Sequence, residues 1–430
     1  MLRRVKVCGY KSLSDLEVRL QPLSVLFGPN AAGKSNFLDA LQLLSGFATQ
    51  RTLKDAFLPP YRGKPLESVT FRDGGMQALL EAESAGFSIE VDVELSQSTV
   101  DQLDRQVREM KRSRPGTNGK DPSAVKERYL RYRIEVAIQP RTGIVQVADE
   151  YLAALTASGE PTGKRGPFLE QMQSRLHLRM EGQAHPAYHE RYLDHAVLSM
   201  PLYPPHYPHL VALRQELANW LFFYFEPRER MRASTPVREV RHVGLMGEDL
   251  AAFLNTLKVL DPDHFEAVER SLHMLIPSLT GIDLVANNLG EVEMRLREGN
   301  TLVPARVVSE GALRVLGLLA VSGARERPTL VGFEEPENGV HPRRIRLIAE
   351  FLRALAAQDS QLIVTTHSPL LADLIPEDSL YACRKDGGRT LIQPLASGAL
   401  FKSSEIESAL DAEESQLTAG QRMLRGDFDA

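Results

Sequence analysis

At 430 residues the chain is too long for one compact core of ordinary size, so two or three packed units are expected. An apolar content of 43%, a charged content of 25% and a net charge of −5 exclude a disordered or collagen-like chain, and one that coats nucleic acid with its whole surface. Cys8 and Cys383 lie far apart without a CxxC partner, which argues against a disulfide framework or a cysteine zinc site and for a reducing compartment.

The opening, MLRRVKVCGYKS, carries no signal-like apolar run, and no apolar stretch is long enough to span a bilayer without a charge; Arg314 interrupts 311–321. A cytoplasmic protein with no membrane contact is expected. In chain order, Val5 and Val7 alternate with charged neighbours, and Leu23 to Phe27 form a short buried-strand run. A glycine-rich turn follows, then a helix from about Ser35 with Phe37, Leu38, Leu41 and Leu44 on one face. Alternation at 87–95 and 132–138 predicts antiparallel strands flanking this first unit. Between them Val100, Leu103, Val107 and Met110 give heptad-like spacing over two heptads, enough for a short helix or hairpin but not a long coiled coil. Residues 112–123 read as a loop, and 150–218 show no readable period. Helices are predicted near 248–260 and 262–275, with strands at 282–286 and 291–297. From 309 the pattern alternates: helix 309–322, strand 329–333, helix 342–357, strand 361–365, helix 368–374, strand 379–383. Such alternation marks a parallel sheet covered by helices.

Three motifs carry chemistry. Gly28-Pro29-Asn30-Ala31-Ala32-Gly33-Lys34-Ser35, followed by Asn36, fits GxxxxGK[ST] between a strand and a helix. Backbone N–H groups in such a turn wrap phosphates, Lys34 neutralises β/γ charge and the Ser35 hydroxyl ligates Mg²⁺. Leu330 to Phe333 form an apolar strand that ends in Glu334 and Glu335. Acids at a strand end beside a phosphate loop hold Mg²⁺ through water, here Glu334, and polarise the attacking water, here Glu335. Thr365-Thr366-His367-Ser368-Pro369 closes a further strand, where His367 is placed to sense the γ-phosphate.

With these residues in this order, the chain resembles the ABC-type ATPases of the SMC and RecF-like group, especially the small AAA-family ATPases of DNA repair and anti-phage defence. The resemblance also takes in Arg3 and Arg4, the pair Lys11-Ser12, Ser309-Glu310-Gly311 opening a helix, and FEEPENGVHP at 333–342. Pro227 with Met231-Arg232, and Gly247 to Leu250, belong to it too. It covers roughly 1–95 and 220–395. It implies an α/β fold: a P-loop ABC-type head, a mixed sheet with flanking helices, assembled from N- and C-terminal lobes around a mixed α/β insert. The expected units are a lobe at 1–95, an insert at 96–219, a second lobe at 220–395 and an acidic tail at 396–430. ATP and Mg²⁺ are the implied cofactors and a head-to-head homodimer the implied assembly, with higher oligomers open. Ser309 and Gly311 would meet the γ-phosphate held by the other copy, and Asn338 would communicate between the two sites. Ser309 also reads as a plain helix N-cap. Three departures are visible: VSEGALR lacks a Gly-Gly-Gln signature, Glu-Glu stands where Asp-Glu is commoner, and no glutamine is assignable to the linking loop. Slow or partner-stimulated hydrolysis is therefore expected.

Between Arg105 and Arg141 eleven Lys or Arg face four Asp or Glu. Arg128, Arg131 and Arg133, interleaved with Tyr129 and Tyr132, read either as a nucleic-acid contact or as a solvated basic face. Five of the eleven histidines, His185, His189, His195, His206 and His209, cluster at 185–209. The HxxxH spacing of the first two suits zinc, but Pro186 and the lack of HExxH favour a polar insert. Asp427-Phe428-Asp429 has a DxD form at the frayed chain end and is discounted. Three uses of the ATPase cycle remain open: DNA repair or anti-phage defence beside a partner nuclease; an ATP-dependent scaffold for an effector without nucleic-acid contact; and a transporter subunit, which the long insert disfavours.

Overall fold

The computed structural model describes residues 1–71, 74–111, 122–163, 166–172, 175–181, 187–190, 193–322, 327–358, 360–395 and 417–428. Two large sheets organise it. The first has eight strands, each antiparallel to the next, in the order Leu13–Arg19, Leu2–Tyr10, Ala85–Glu94, Tyr129–Gln139, Ile144–Ala154, Leu169–Met172, Arg175–Leu178, Ala187–Glu190. The antiparallel strands expected at 87–95 and 132–138 are there, and they pair with each other from Ala85↔Ile138 to Glu94↔Tyr129. The sheet runs on through 144–190, so residues beyond 96 extend the same sheet that the N-terminal strands begin.

The second sheet has six strands, Trp220–Phe223, Leu330–Glu334, Gln361–Thr366, Leu23–Phe27, Leu380–Asp386 and Arg389–Pro394. The first five are parallel and the last is antiparallel. The apolar runs that showed no alternation are its strands: Leu23–Phe27 and Gln361–Thr366 are buried at every position, as strands covered on both faces must be. An N-terminal strand lies between C-terminal ones, which joins the two ends of the chain in one sheet, as the α/β reading requires. The Gln361 side chain joins the two sheets, taking the Leu2 N–H at 2.6 Å and donating to the carbonyls of Leu2 at 2.8 Å and Gln21 at 3.1 Å.

Helix Lys34–Thr49 buries Phe37, Leu38, Leu41 and Leu44, the predicted face. With helix Pro208–Ala218 it fills the core shared with the eight-stranded sheet. Helices Leu250–Leu260, Pro262–Leu275, Glu310–Ser322 and Pro342–Ala356 build a second core on the parallel sheet and on a small sheet of Thr235–Pro236, Leu279–Ala286, Glu291–Glu298 and Thr301–Pro304. The segment Gln97–Lys111 is one helix, with Val100, Leu103 and Val107 buried and Met110 exposed. At the end of the chain the expectation of fraying is corrected. Helix Ala419–Arg425 is capped by Thr418 and held through Gly420 N–H to Asp373, and Phe428 packs edge-on to Phe27 at 5.0 Å. Asp427 is paired with Arg425; Asp429 and the acids between 405 and 414 lie outside the described residues. Among the described residues no helix is long and apolar enough to cross a membrane.

Candidate active site

The parallel register brings the carboxyl ends of three strands to one edge: Glu334 is level with Thr365, and Thr366 with Phe27. In open α/β sheets this edge is where ligands bind. The phosphate loop leaves Phe27 and turns sharply. Gly33 has φ 101°, and a Cβ there would lie 2.0 Å from Thr390 Oγ1, so only glycine fits. The N-terminus of helix Lys34–Thr49 receives no side-chain cap, which leaves its N–H groups pointing into the loop. Asn36 donates to Ser12 Oγ at 2.8 Å; Ser12 meets Thr390 Oγ1 at 2.7 Å, and Thr390 donates to the Ala32 carbonyl at 2.8 Å. The loop formed by Gly28, Asn30, Ala31, Ala32 and Gly33 is thereby pinned from behind.

Lys34 is 4% exposed. Its Nζ donates to the carbonyls of Gly28 and Pro29, both at 2.8 Å, and lies 3.3 Å from His367 Nδ1. Burial lowers its pKa to about 8, although Glu335 and Glu334 pull the other way. The Ser35 hydroxyl donates to Glu334 Oε1. A hydroxyl and a carboxylate converging there are hard oxygen donors of the kind magnesium takes. Among the described residues no group of three His, Cys, Asp or Glu could hold a metal unaided, so a cation here would complete its shell from phosphate and water.

Glu335 sits in the left-handed region at φ 49°, a strained backbone held by its N–H to the Thr365 carbonyl at 2.9 Å. Its Oε1 is 3.3 Å from His367 Nε2, and Asn338 Nδ2 donates to Oε2 at 3.4 Å. Burial and the nearby Lys34 lower the pKa of His367. The histidine thus spans from the lysine to the second acid. Lys34, Ser35, Glu334, Glu335, Asn338 and His367 are one connected cluster.

Ser309 and Gly311 make their contacts elsewhere. Ser309 Oγ accepts from Ala312 N–H at 3.3 Å, the N-cap geometry, and Gly311 packs against the Gly339 carbonyl. Two residues of the cluster were missed from the sequence. Arg62 binds Asp39 Oδ1 at 2.7 Å and Glu334 Oε2 at 2.9 Å, and Lys11 binds the other Asp39 oxygen at 2.8 Å. Burial opposes the charge of Arg62, but the two carboxylates outweigh it and raise its pKa. Asp39 was findable as an acid among the buried apolar residues of its helix; nothing local marks Arg62.

The basic segment is corrected in part. Tyr132 is fully buried and donates to Glu150 at 2.9 Å, so it cannot stack on a base. Arg131 makes a two-pronged pair with Asp92 at 2.7 and 2.8 Å, Arg133 binds Asp149 at 2.6 Å, and Arg128 donates to the Leu95 carbonyl at 2.8 Å. Of the histidines, His209 is buried against Phe168 and bonded to Glu181 at 2.6 Å, and His195 is bonded to Asp194 at 2.7 Å. His185 lies outside the described residues.

In comparison with known proteins, residues 1–156 match a family model described as AAA ATPase domain. Residues 189–373 match one described as AAA domain, putative AbiEii toxin, Type IV TA system. A curated protein of Thermus scotoductus (strain ATCC 700910 / SA-01) named OLD nuclease is 21% identical over 451 residues, covering 98% of this chain and 68% of that protein. Among solved structures, an Smc head bound to the C-winged helix domain of ScpA aligns at 13% identity and TM-score 0.47, over 95% of this chain and 99% of that one. An Smc head domain with an extended coiled coil, bound to the C-terminal domain of ScpA from Pyrococcus furiosus, aligns at 12% identity and TM-score 0.47, over 96% and 98% of the two chains.

Proposed function

We propose that this chain, an ABC-type ATPase of the SMC/RecF-like group, binds ATP with Mg²⁺ at 28–36 and hydrolyses it between two head-to-head copies. The observation that carries this reading is the cluster of Lys34, Ser35, Glu334, Glu335 and His367 at one edge of the parallel sheet. Loop N–H groups and Lys34 take the phosphates, with Lys34 offsetting charge that builds on the β/γ bridge. Ser35 and Glu334 hold the cation, which when bound screens the phosphate oxygens. Glu335 orients and polarises the attacking water; His367, within reach of both Lys34 and Glu335, reports whether the γ-phosphate is present. Ser309 and Gly311 of the partner copy close the pocket, and Asn338 relays its state. Binding closes the dimer and hydrolysis opens it.

The stroke serves DNA repair or anti-phage defence together with a nuclease, a reading supported by the resemblance to a protein named OLD nuclease. A second reading, an ATP-dependent scaffold for a protein effector, is favoured by the ion pairs that occupy Arg131 and Arg133. Two variants test the core reading. Lys34→Ala should lose nucleotide binding. Glu335→Gln should bind ATP and fail to hydrolyse it; unchanged affinity in the first, or ordinary turnover in the second, removes the assignment. DNA-stimulated turnover separates the two roles: stimulation lost on neutralising Arg128, Arg131 and Arg133 favours the first, and indifference to DNA and salt the second.

A further inference from the structure

The loop that leaves strand Leu330–Glu334 carries a third acid in quite different surroundings. Glu337 is 7% exposed. Its Oε1 accepts a hydrogen bond from the Thr366 hydroxyl, and its Oε2 has no hydrogen-bond partner of ordinary geometry among the described residues, although the Glu337 and His367 N–H groups lie close enough to favour the carboxylate. Burial, with Glu335 nearby, raises its pKa above the usual carboxyl range. The Thr366 hydroxyl accepts in turn from the Ser368 N–H at 2.9 Å. His367 is the residue between those two, so Glu337 holds the second loop at Thr366, whose hydroxyl in turn braces the turn around the histidine.

Beyond Glu337 the first loop packs against the start of helix Glu310–Ser322. Arg314 Nη1 donates to the Asn338 carbonyl at 3.1 Å, and a Cβ on Gly311 would lie 2.1 Å from the Gly339 carbonyl, a contact only glycine permits. A buried carboxyl with one lone oxygen fills space worse than an apolar side chain of its size. Its hydrogen bond is what the site gains from it.

We propose that Glu337 is a positioning residue that makes the loop of Glu335 and the loop of His367 move as one body. The spacing of acid and histidine is then held while the start of helix Glu310–Ser322 follows them through Gly339. This rests on the roles given to Glu335 and His367 above.

The test measures kcat and KM for ATP, and thermal unfolding, in Glu337→Ala, Glu337→Gln, Thr366→Val and the double variant Glu337→Ala/Thr366→Val, beside Glu335→Gln. Glu337→Ala should lower kcat tenfold or more with KM within threefold. Glu337→Gln, whose amide oxygen still accepts from Thr366, should return kcat to within threefold of the parent. Thr366→Val, which also loses the bond from the Ser368 N–H, should lower kcat at least as much as Glu337→Ala, and the double variant should be no worse than Thr366→Val, because the Thr366–Glu337 bond is already gone in either single variant. Parental kcat in folded Glu337→Ala, a Gln variant as poor as Ala, or multiplied losses in the double variant would each overturn the proposal. Should Glu337→Ala unfold, Thr366→Val at parental kcat overturns it alone. Glu335→Gln separates the failures. Normal turnover there removes the parent reading, whereas a dead Glu335→Gln beside fully active Glu337→Ala and Thr366→Val removes only this one.

Discussion

Lys34 offers a prediction whose size follows from its surroundings. Its pKa falls from 10.5 to about 8 because burial strips water from the ammonium. That drop is worth ~3 kcal/mol against the charged form. Triphosphate oxygens against Nζ restore the charge, so nucleotide binding must draw a proton from solvent wherever the free protein has lost it. For a bound pKa back near 10.5, uptake is roughly 0.1 proton at pH 7 and roughly 0.8 at pH 8.5. By linkage, ATP affinity weakens about tenfold between pH 7 and pH 9. The assay is titration calorimetry of Glu335→Gln with MgATP in buffers of different ionisation heat, where the slope of heat against buffer enthalpy counts protons. A slope near zero at pH 8.5, with affinity flat to pH 9, would refute a buried, phosphate-facing Lys34.

Gly33→Ala forces a Cβ to 2.0 Å from Thr390 Oγ1 at φ 101°, so nucleotide affinity should fall by tenfold or more; affinity within twofold of the parent would contradict the packing described. Glu150 is fully buried; burial raises its pKa to about 6, against the pull of the Val197 and Leu198 N–H groups and the Tyr132 hydroxyl. The folded state therefore holds its proton more tightly than the unfolded chain. The stability this contributes is full below pH 4.5 and lost as pH rises through about 6, an effect of ~2 kcal/mol. Chemical denaturation of Glu150→Gln should show a smaller difference between pH 4.5 and pH 7 than the parent; an equal difference would count against it.

Some of this was legible from residues alone, for a physical reason. Strands buried on both faces appear as continuous apolar runs, so Leu330–Glu334, Gln361–Thr366 and Leu380–Asp386 were visible with the helices between them. The three chemical motifs lie at the ends of strands Leu23–Phe27, Leu330–Glu334 and Gln361–Thr366, which is why they could be ordered without coordinates. The stretch 150–218 resisted because strands Leu169–Met172, Arg175–Leu178 and Ala187–Glu190 have four residues each, too few for a period to show. Helix Pro208–Ala218 was missed inside the same stretch. Arg62 escaped because its partners are 23 and 272 positions away, and no local pattern encodes an ion pair across such spans. Tyr132 shows the opposite error: a tyrosine among arginines resembles a base-stacking surface, yet on an alternating strand its side faces the core.

In the proposed cycle two copies enclose the triphosphate, each supplying half of the pocket. The direct measurement is the molar mass of Glu335→Gln by sedimentation velocity, with and without saturating MgATP. A mass that doubles with ATP, and no longer does so when Ser309→Arg blocks the partner's contribution, is the predicted result. A species that stays monomeric with ATP bound, while the parent protein hydrolyses at full rate, would contradict it.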